Sequence, residues 1–246
     1  MPESLGAPAD RFPPTRLSVL TRLRDGDDPA RAAAFAVLAG AYWRPVYAYL
    51  RLQWREEPAD AEDLTQGFLA AAWEKGFLAG YDPSRARFRT FLRTCLDRHV
   101  MNHRKAARAG KRGGGNVELR LDFADAEGQV RTREIPDQSG PEELFHREFV
   151  RELFTNAVTR LREEFEQRGR GAAYAAFERH DLGPDDGAGY AAIAAELGLT
   201  VSQVTNHLHA ARRRFRELVL DQLRELSGSD AEFREEAREI LGVELE

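Results

Sequence analysis

The stretch Tyr190–Arg216, YAAIAAELGLTVSQVTNHLHAARRRFR, decides how this chain reads. Ile193 and Leu197 stand four apart, the spacing that turns one face of a short helix inward. Gly198 follows at the position where a helix end needs a positive φ, which glycine adopts without a Cβ penalty. Thr200 can cap a second helix, and Gln203 three residues on completes the capping-box pattern. Val204, Leu208, Ala211 and Phe215 then recur as one buried stripe. The opposite face carries Ser202, Gln203, Thr205, Asn206, His209, Arg212 and Arg213. Such groups can donate to or accept from base edges and phosphates. The pattern predicts two helices joined by a tight turn, the second offered to duplex DNA.

Working outward, the rest of the chain is helical as well. Its 246 residues suffice for two small domains with cores of their own. Hydrophobic content of 42% and charged content of 31% describe a globular protein. No run approaches the roughly 20 apolar residues of a membrane span, so no membrane insertion is expected. No secretory signal stands at the N-terminus, and Cys95 is the single cysteine. A reducing cytoplasm follows as the expected location. Cys95 sits among Phe91, Leu92 and Leu96 and reads as a buried thiol rather than a nucleophile.

Helices are expected over 17–24, from Asp28-Pro29 through Tyr42, and from Asp60 as a cap through Leu64, Phe68 and Ala72. Pro45 is expected to kink or restart the second of them. A loop, YDPSRA (81–86), precedes a basic helix over about 88–107 with Leu92, Leu96 and Val100 on its buried edge. Pro141 opens a long helix with Phe145, Phe149, Leu153, Ala157, Leu161 and Phe165 spaced for one face. A further short helix falls near 172–180, and an acidic helix over 230–241 ends the chain. The fold class expected is all-α. A disordered N-terminus (1–14) leads to a helical domain (15–112), a flexible acidic linker (113–140), a helix-turn-helix domain (141–226) and an acidic tail (227–246).

The net charge of −5 hides a strong local contrast. Arg85–Arg112 holds ten Lys/Arg against one Asp, whereas Glu225–Glu246 holds eight acidic residues against two Arg. Local field, not net charge, steers a polyanion. The tail is expected either to fold back on the basic recognition helix and compete with DNA or to be a solvated helical cap.

DAEDLTQ (60–66), the YDPSRARF loop, the FRTFL stretch (88–92) and the segment Leu208–Arg213 come in an order that resembles extracytoplasmic-function sigma factors of bacterial RNA polymerase. The resemblance covers roughly 15–112 and 141–226. It implies that Asp60, Glu62, Asp63 and Gln66 lie on or beside a helix that docks on core RNA polymerase. It implies that the loop containing Tyr81, Ser84, Arg85 and Arg87 pockets a flipped base of the −10 element, with Arg98, Asn102 and Lys105 along the melted strand. Ser202, Gln203, Thr205, Asn206, His209, Arg212 and Arg213 would meet the −35 element, the two arginines as phosphate anchors. Core polymerase and promoter DNA are the partners implied, with an anti-sigma factor or kinase as regulator.

The chain departs from the family pattern in places. Phe91 stands where the family usually has Trp, and Arg98 where Asn is common. Thr205, Asn206, His207 and Ala210 replace residues that are often basic or serine. The recognition helix is therefore less basic than usual, which predicts weaker duplex binding with a shallower salt slope. The acidic linker would mimic RNA in the exit channel or simply be solvated. His99 and His103 are four apart but lack further ligands, GKRGGG (110–115) lacks the Lys-Ser/Thr ending of a phosphate loop, and no catalytic constellation stands out. Neither a metal, a cofactor nor an enzymatic activity is expected. The alternatives are a stand-alone helix-turn-helix regulator and a regulatory adaptor without initiation activity.

Overall fold

Asp28–Leu52, α2, is the helix around which the others assemble. Asp27 caps it by accepting from the Ala30 amide at 3.0 Å, and Pro29 occupies the first turn, where a missing N–H costs nothing. The helix runs unbroken through Pro45, whose ring is buried. The expected kink or restart is thus absorbed within one element. In this computed structural model, residues 19–108, 121–132, 140–184 and 189–244 are described. Thr15 and Leu17, GKRGGG and the N-terminal 1–14 lie outside them.

All regular structure in the described residues is helical. α1 (Val19–Asp25) and α3 (Pro58–Lys75) pack on α2. α3 starts three residues earlier than Asp60 would allow as a cap: Pro58 takes the first turn, Glu57 is the cap residue, and Asp60 lies within the helix. Pro is pre-organised for that first position, and it overrides the carboxylate signal. Gly76, at φ 60°, ends α3 in the left-handed conformation. A short 3₁₀ turn, Phe77–Gly80, leads to the 81–87 loop and then to α4 (Phe88–Arg108). Leu92, Leu96 and Val100 are buried, as the pattern requires.

The stretch expected as linker contains a helix. α5 (Phe123–Arg131) is capped by Asp122 and buries Phe123, Ala126 and Val130. It docks on α2 through Trp43 and Tyr47, whose rings lie 5.5 and 5.3 Å from Phe123. Arg51 forks onto both Glu127 oxygens at 2.8 and 2.9 Å, and Tyr47 Oη donates to Glu127 at 2.8 Å. These donors hold the Glu127 carboxyl at about 2, the Arg51 bond outweighing the cost of burial.

α6 (Pro141–Gln167) buries the full expected stripe from Phe145 to Phe165. It packs directly along α2. Tyr42 stacks on Phe149 (5.2 Å, 12° between planes), and Tyr49 meets Phe145 edge-on at 5.5 Å. The N-terminal and C-terminal helices therefore share one aromatic seam, each such pair worth about 1 kcal/mol beyond its buried area. α7 (Gly171–Phe177) runs into a π turn, Glu178–Leu182. α8 (Tyr190–Leu197), α9 (Val201–Leu226) and α10 (Asp230–Leu241) complete the chain.

Candidate polymerase and nucleic-acid interfaces

Local sequence builds the α8–α9 corner as expected. Gly198 has φ 65°, and the Leu199 amide donates back to Ala194 O at 2.8 Å. The Gln203 amide donates to Thr200 Oγ1 (3.2 Å), and the Thr200 amide to Gln203 Oε1 (2.8 Å), which closes the capping box. Val204, Leu208 and Ala211 are buried, and Phe215 packs on Phe154 and Phe177. Ser202, Gln203, Thr205, Asn206, His209, Arg212 and Arg213 are all exposed. Several are engaged: Thr205 donates its hydroxyl to Val201 O at 3.0 Å. Gln203 gives its carbonyl oxygen to the cap. Arg212 forks onto Asp181 at 2.6 and 2.8 Å, beside His180 at 3.0 Å. Asp181 comes from the π turn, which nothing in the local sequence marks as a partner for α9. Arg213 makes only a loose pair with Glu217, at 3.7 Å.

On α3, Asp60 and Asp63 are exposed, and Glu62 and Gln66 are half-buried. None of the four carries an ion pair among the described residues. Together they leave an acidic face open at the start of the helix.

The 81–105 segment divides in two. Its second half is open: Arg98, Asn102 and Lys105 are exposed and make no ion pair or hydrogen bond among the described residues. Met101 is exposed beside them. His99, on the inner side, is half-buried with its ring 5.6 Å from Phe68, and burial, followed by His103 and Lys75, lowers its pKa to about 4.

The first half is covered. Tyr81 is buried, and its hydroxyl lies 2.9 Å from both Ala86 O and Glu232 Oε2. Burial, followed by the Glu232 charge, pushes its pKa well up, so the ring stays a neutral donor. Ser84 closes a small turn on Asp82 with its amide (3.0 Å) and hydroxyl (2.7 Å). Arg85 points outward and pairs with Asp82 at 3.2 Å. Arg87 pairs with Glu235 (3.3 Å), Glu236 (3.7 Å) and Glu239. Arg89, which the sequence reading left aside, is buried and pairs with Glu236 and, at 3.3 Å, with Glu239. The Phe88 amide donates to Glu232 Oε1 at 2.6 Å. Apart from Asp82, every one of these carboxylates belongs to α10. The acidic tail thus docks on the start of α4 and not on the polar face of α9 that carries Ser202 to Arg213. Of α9 it touches only the far end, where Arg224 lies 4.1 Å from the Phe233 ring.

The family model Sigma-70 region 2 matches residues 38–110. This stretch is similar to sigma-70 region 2 domains. It spans the second half of α2, all of α3 and all of α4, and it contains both the open acidic face and the 81–105 segment. Such a domain is the module through which sigma-70 factors, which are non-enzymatic initiation factors, bind RNA polymerase and recognise promoters. The α8–α9 corner lies outside the matched residues. No curated protein and no solved structure matches the chain. Among the described residues no helix is long and apolar enough to cross a membrane, and no cluster of metal-ligating side chains occurs.

Proposed function

We propose that this chain is a sigma factor of the extracytoplasmic-function type, which binds core RNA polymerase and directs promoter-specific initiation. The region 2 match carries the reading. Two surface features support it. Asp60 and Asp63 offer carboxylates without internal partners, which suits a basic docking surface on the polymerase. Arg98, Asn102 and Lys105 offer charge and hydrogen bonds in a row along α4, with Met101 beside them, which suits an unstacked single strand. Region 2 would hold polymerase and the −10 strand. The α8–α9 corner would meet the −35 duplex, with Ser202, Thr205, Asn206 and His209 toward base edges and Arg213 toward phosphate.

Transcription in vitro with purified bacterial core polymerase, this protein and genomic upstream fragments tests the reading. Defined start sites sharing two upstream boxes are expected. The double variant Asp60→Lys, Asp63→Lys should stay folded and lose core binding by roughly a hundredfold, since charge reversal turns attraction into repulsion. Sequence-specific duplex binding without initiation, on a core active with another factor, would instead establish a stand-alone regulator.

A further inference from the structure

α10 places four carboxylates, Glu232, Glu235, Glu236 and Glu239, on one face by i, i+3, i+4 and i+7 spacing. They meet a set of donors with a definite chemistry: the Arg87 and Arg89 guanidiniums, the Tyr81 hydroxyl and the Phe88 amide at the start of α4. Two guanidiniums beside a helix N-terminus form a phosphate-binding arrangement, because both the fork geometry and the exposed amides favour an anionic oxygen. Glu232 sits where such an oxygen would sit, held at once by the Phe88 amide, Tyr81 Oη and, at 2.7 Å, the Gly228 amide. The carboxylates of α10 imitate a phosphate backbone in charge and position.

The same interface is unfinished as a permanent joint. Phe233 and Ala237 are the buried apolar side chains of α10, and Ile240 and Leu241 pack only partly buried against the core. Arg89 Nε and His146 Nδ1, both buried beneath it, have no hydrogen-bond partner. A small cavity lined by Tyr42, Arg89, Phe149, Leu223, Ser227 and Glu236 remains underneath. Burial raises the Glu236 pKa despite its arginine partners, so its desolvation is incompletely compensated. A partly satisfied polar network adds little net stability. The turn Ser227–Ser229 supplies a joint about which α10 can leave. Gly228 is needed there, because a Cβ would fall 2.4 Å from the Tyr81 ring.

We infer that the surface formed by Tyr81, Arg87, the Phe88 amide and Arg89 is occupied in turn by α10 and by the phosphate backbone of a single-stranded nucleic acid, so that α10 is a displaceable acidic clamp on this region 2. The inference rests on the single-strand role proposed above for the 81–105 segment. In the closed form only the Arg98–Lys105 half of α4 is available. Displacement of α10 opens the rest.

The test uses the full chain and a fluorescein-labelled single-stranded oligonucleotide of mixed sequence. Neutralising the two most exposed clamp residues, Glu235→Gln with Glu239→Gln, should tighten binding roughly tenfold by anisotropy. A charge-matched control on remote surface, Glu163→Gln with Asp221→Asn, should change it by less than about twofold. In the unmodified protein, saturating oligonucleotide should speed amide hydrogen exchange across 230–241. Equal gains in clamp and control variants, no gain in the clamp variant, or exchange across α10 that stays slow at saturation each overturn the clamp. If binding is lost on Arg98→Glu with Lys105→Glu yet ignores the clamp substitutions, the single-strand role stands and the clamp falls. If neither protein binds the strand, both fall.

Discussion

The two ends of α4 carry the same kind of side chain in different company. Arg87 and Arg89 at its start are enclosed by carboxylates from a helix some 150 residues downstream, whereas Arg98 and Lys105 toward its end face outward without partners among the described residues. Basic density along the sequence is nearly uniform between them. Availability is not, because it depends on which distant element settles on which turn. A smaller version of the contrast exists on α9, where Arg212 is held by Asp181 while Asn206 and His209 are free. A basic residue in this protein is therefore available to a ligand only where no acidic element has reached it first.

The largest expected effect breaks the covered end. Arg89→Ala removes the cation from a buried pair and leaves Glu236 without its closest partner. Loss of about 1–3 kcal/mol is expected in urea unfolding, limited by the release of α10 that would return Glu236 to water. Arg98→Ala at the open end should cost within about 0.5 kcal/mol in the same measurement. Binding should show the reverse. Arg98→Glu with Lys105→Glu is expected to weaken single-strand binding at least tenfold, as two phosphate contacts become repulsive. Arg87→Ala should change it by less than about twofold, since the variant loses a phosphate contact and weakens the competing α10 contact together. On α9, Asp181→Asn should release Arg212 and tighten duplex binding by about two- to fivefold. An unchanged duplex affinity would mean that Arg212 is not a DNA group.

The smallest effects are in acid, and they separate two contacts. His99 has its folded-state pKa pushed down to about 4 from 6.5, chiefly by burial. Its neutral form fits the fold, so its share of stability is whole above pH 6.5 and declines as pH falls toward 4. Glu127 has its folded-state pKa lowered from 4.5 to about 2, chiefly by Arg51. Its share is whole above pH 4.5 and is lost as pH falls toward 2. Thermal midpoints of His99→Gln and Glu127→Gln should therefore lose their pH dependence in different windows, the first above the second.

What could be read without coordinates was local. The cap at Thr200 and Gln203, the αL residue at Gly198 and the stripe from Phe145 to Phe165 involve neighbours within a few turns, so spacing alone carries them. Asp60 misled as a cap because Pro58 competes for the same helix start. α5 escaped notice because Phe123, Ala126 and Val130 are too few, among acidic and glycine residues, to stand out as a periodic face. The four glutamates of α10 were visible as an acidic face, but such a face fits any basic surface, and α9 offered one as plausibly as α4 did.

The sequence by itself determined the all-α class, most of the helix boundaries and the region 2 character of 38–110, because periodicity, turn chemistry and motif order are short-range properties. Only the tertiary structure decided that α6 closes onto α2, that α5 anchors the connecting stretch through Glu127 and Arg51, and that α10 lies over Tyr81, Arg87 and Arg89. Those pairings join residues far apart in the chain. They depend on which apolar faces bury each other, and electrostatic complementarity then acts only between the surfaces that packing has brought within reach.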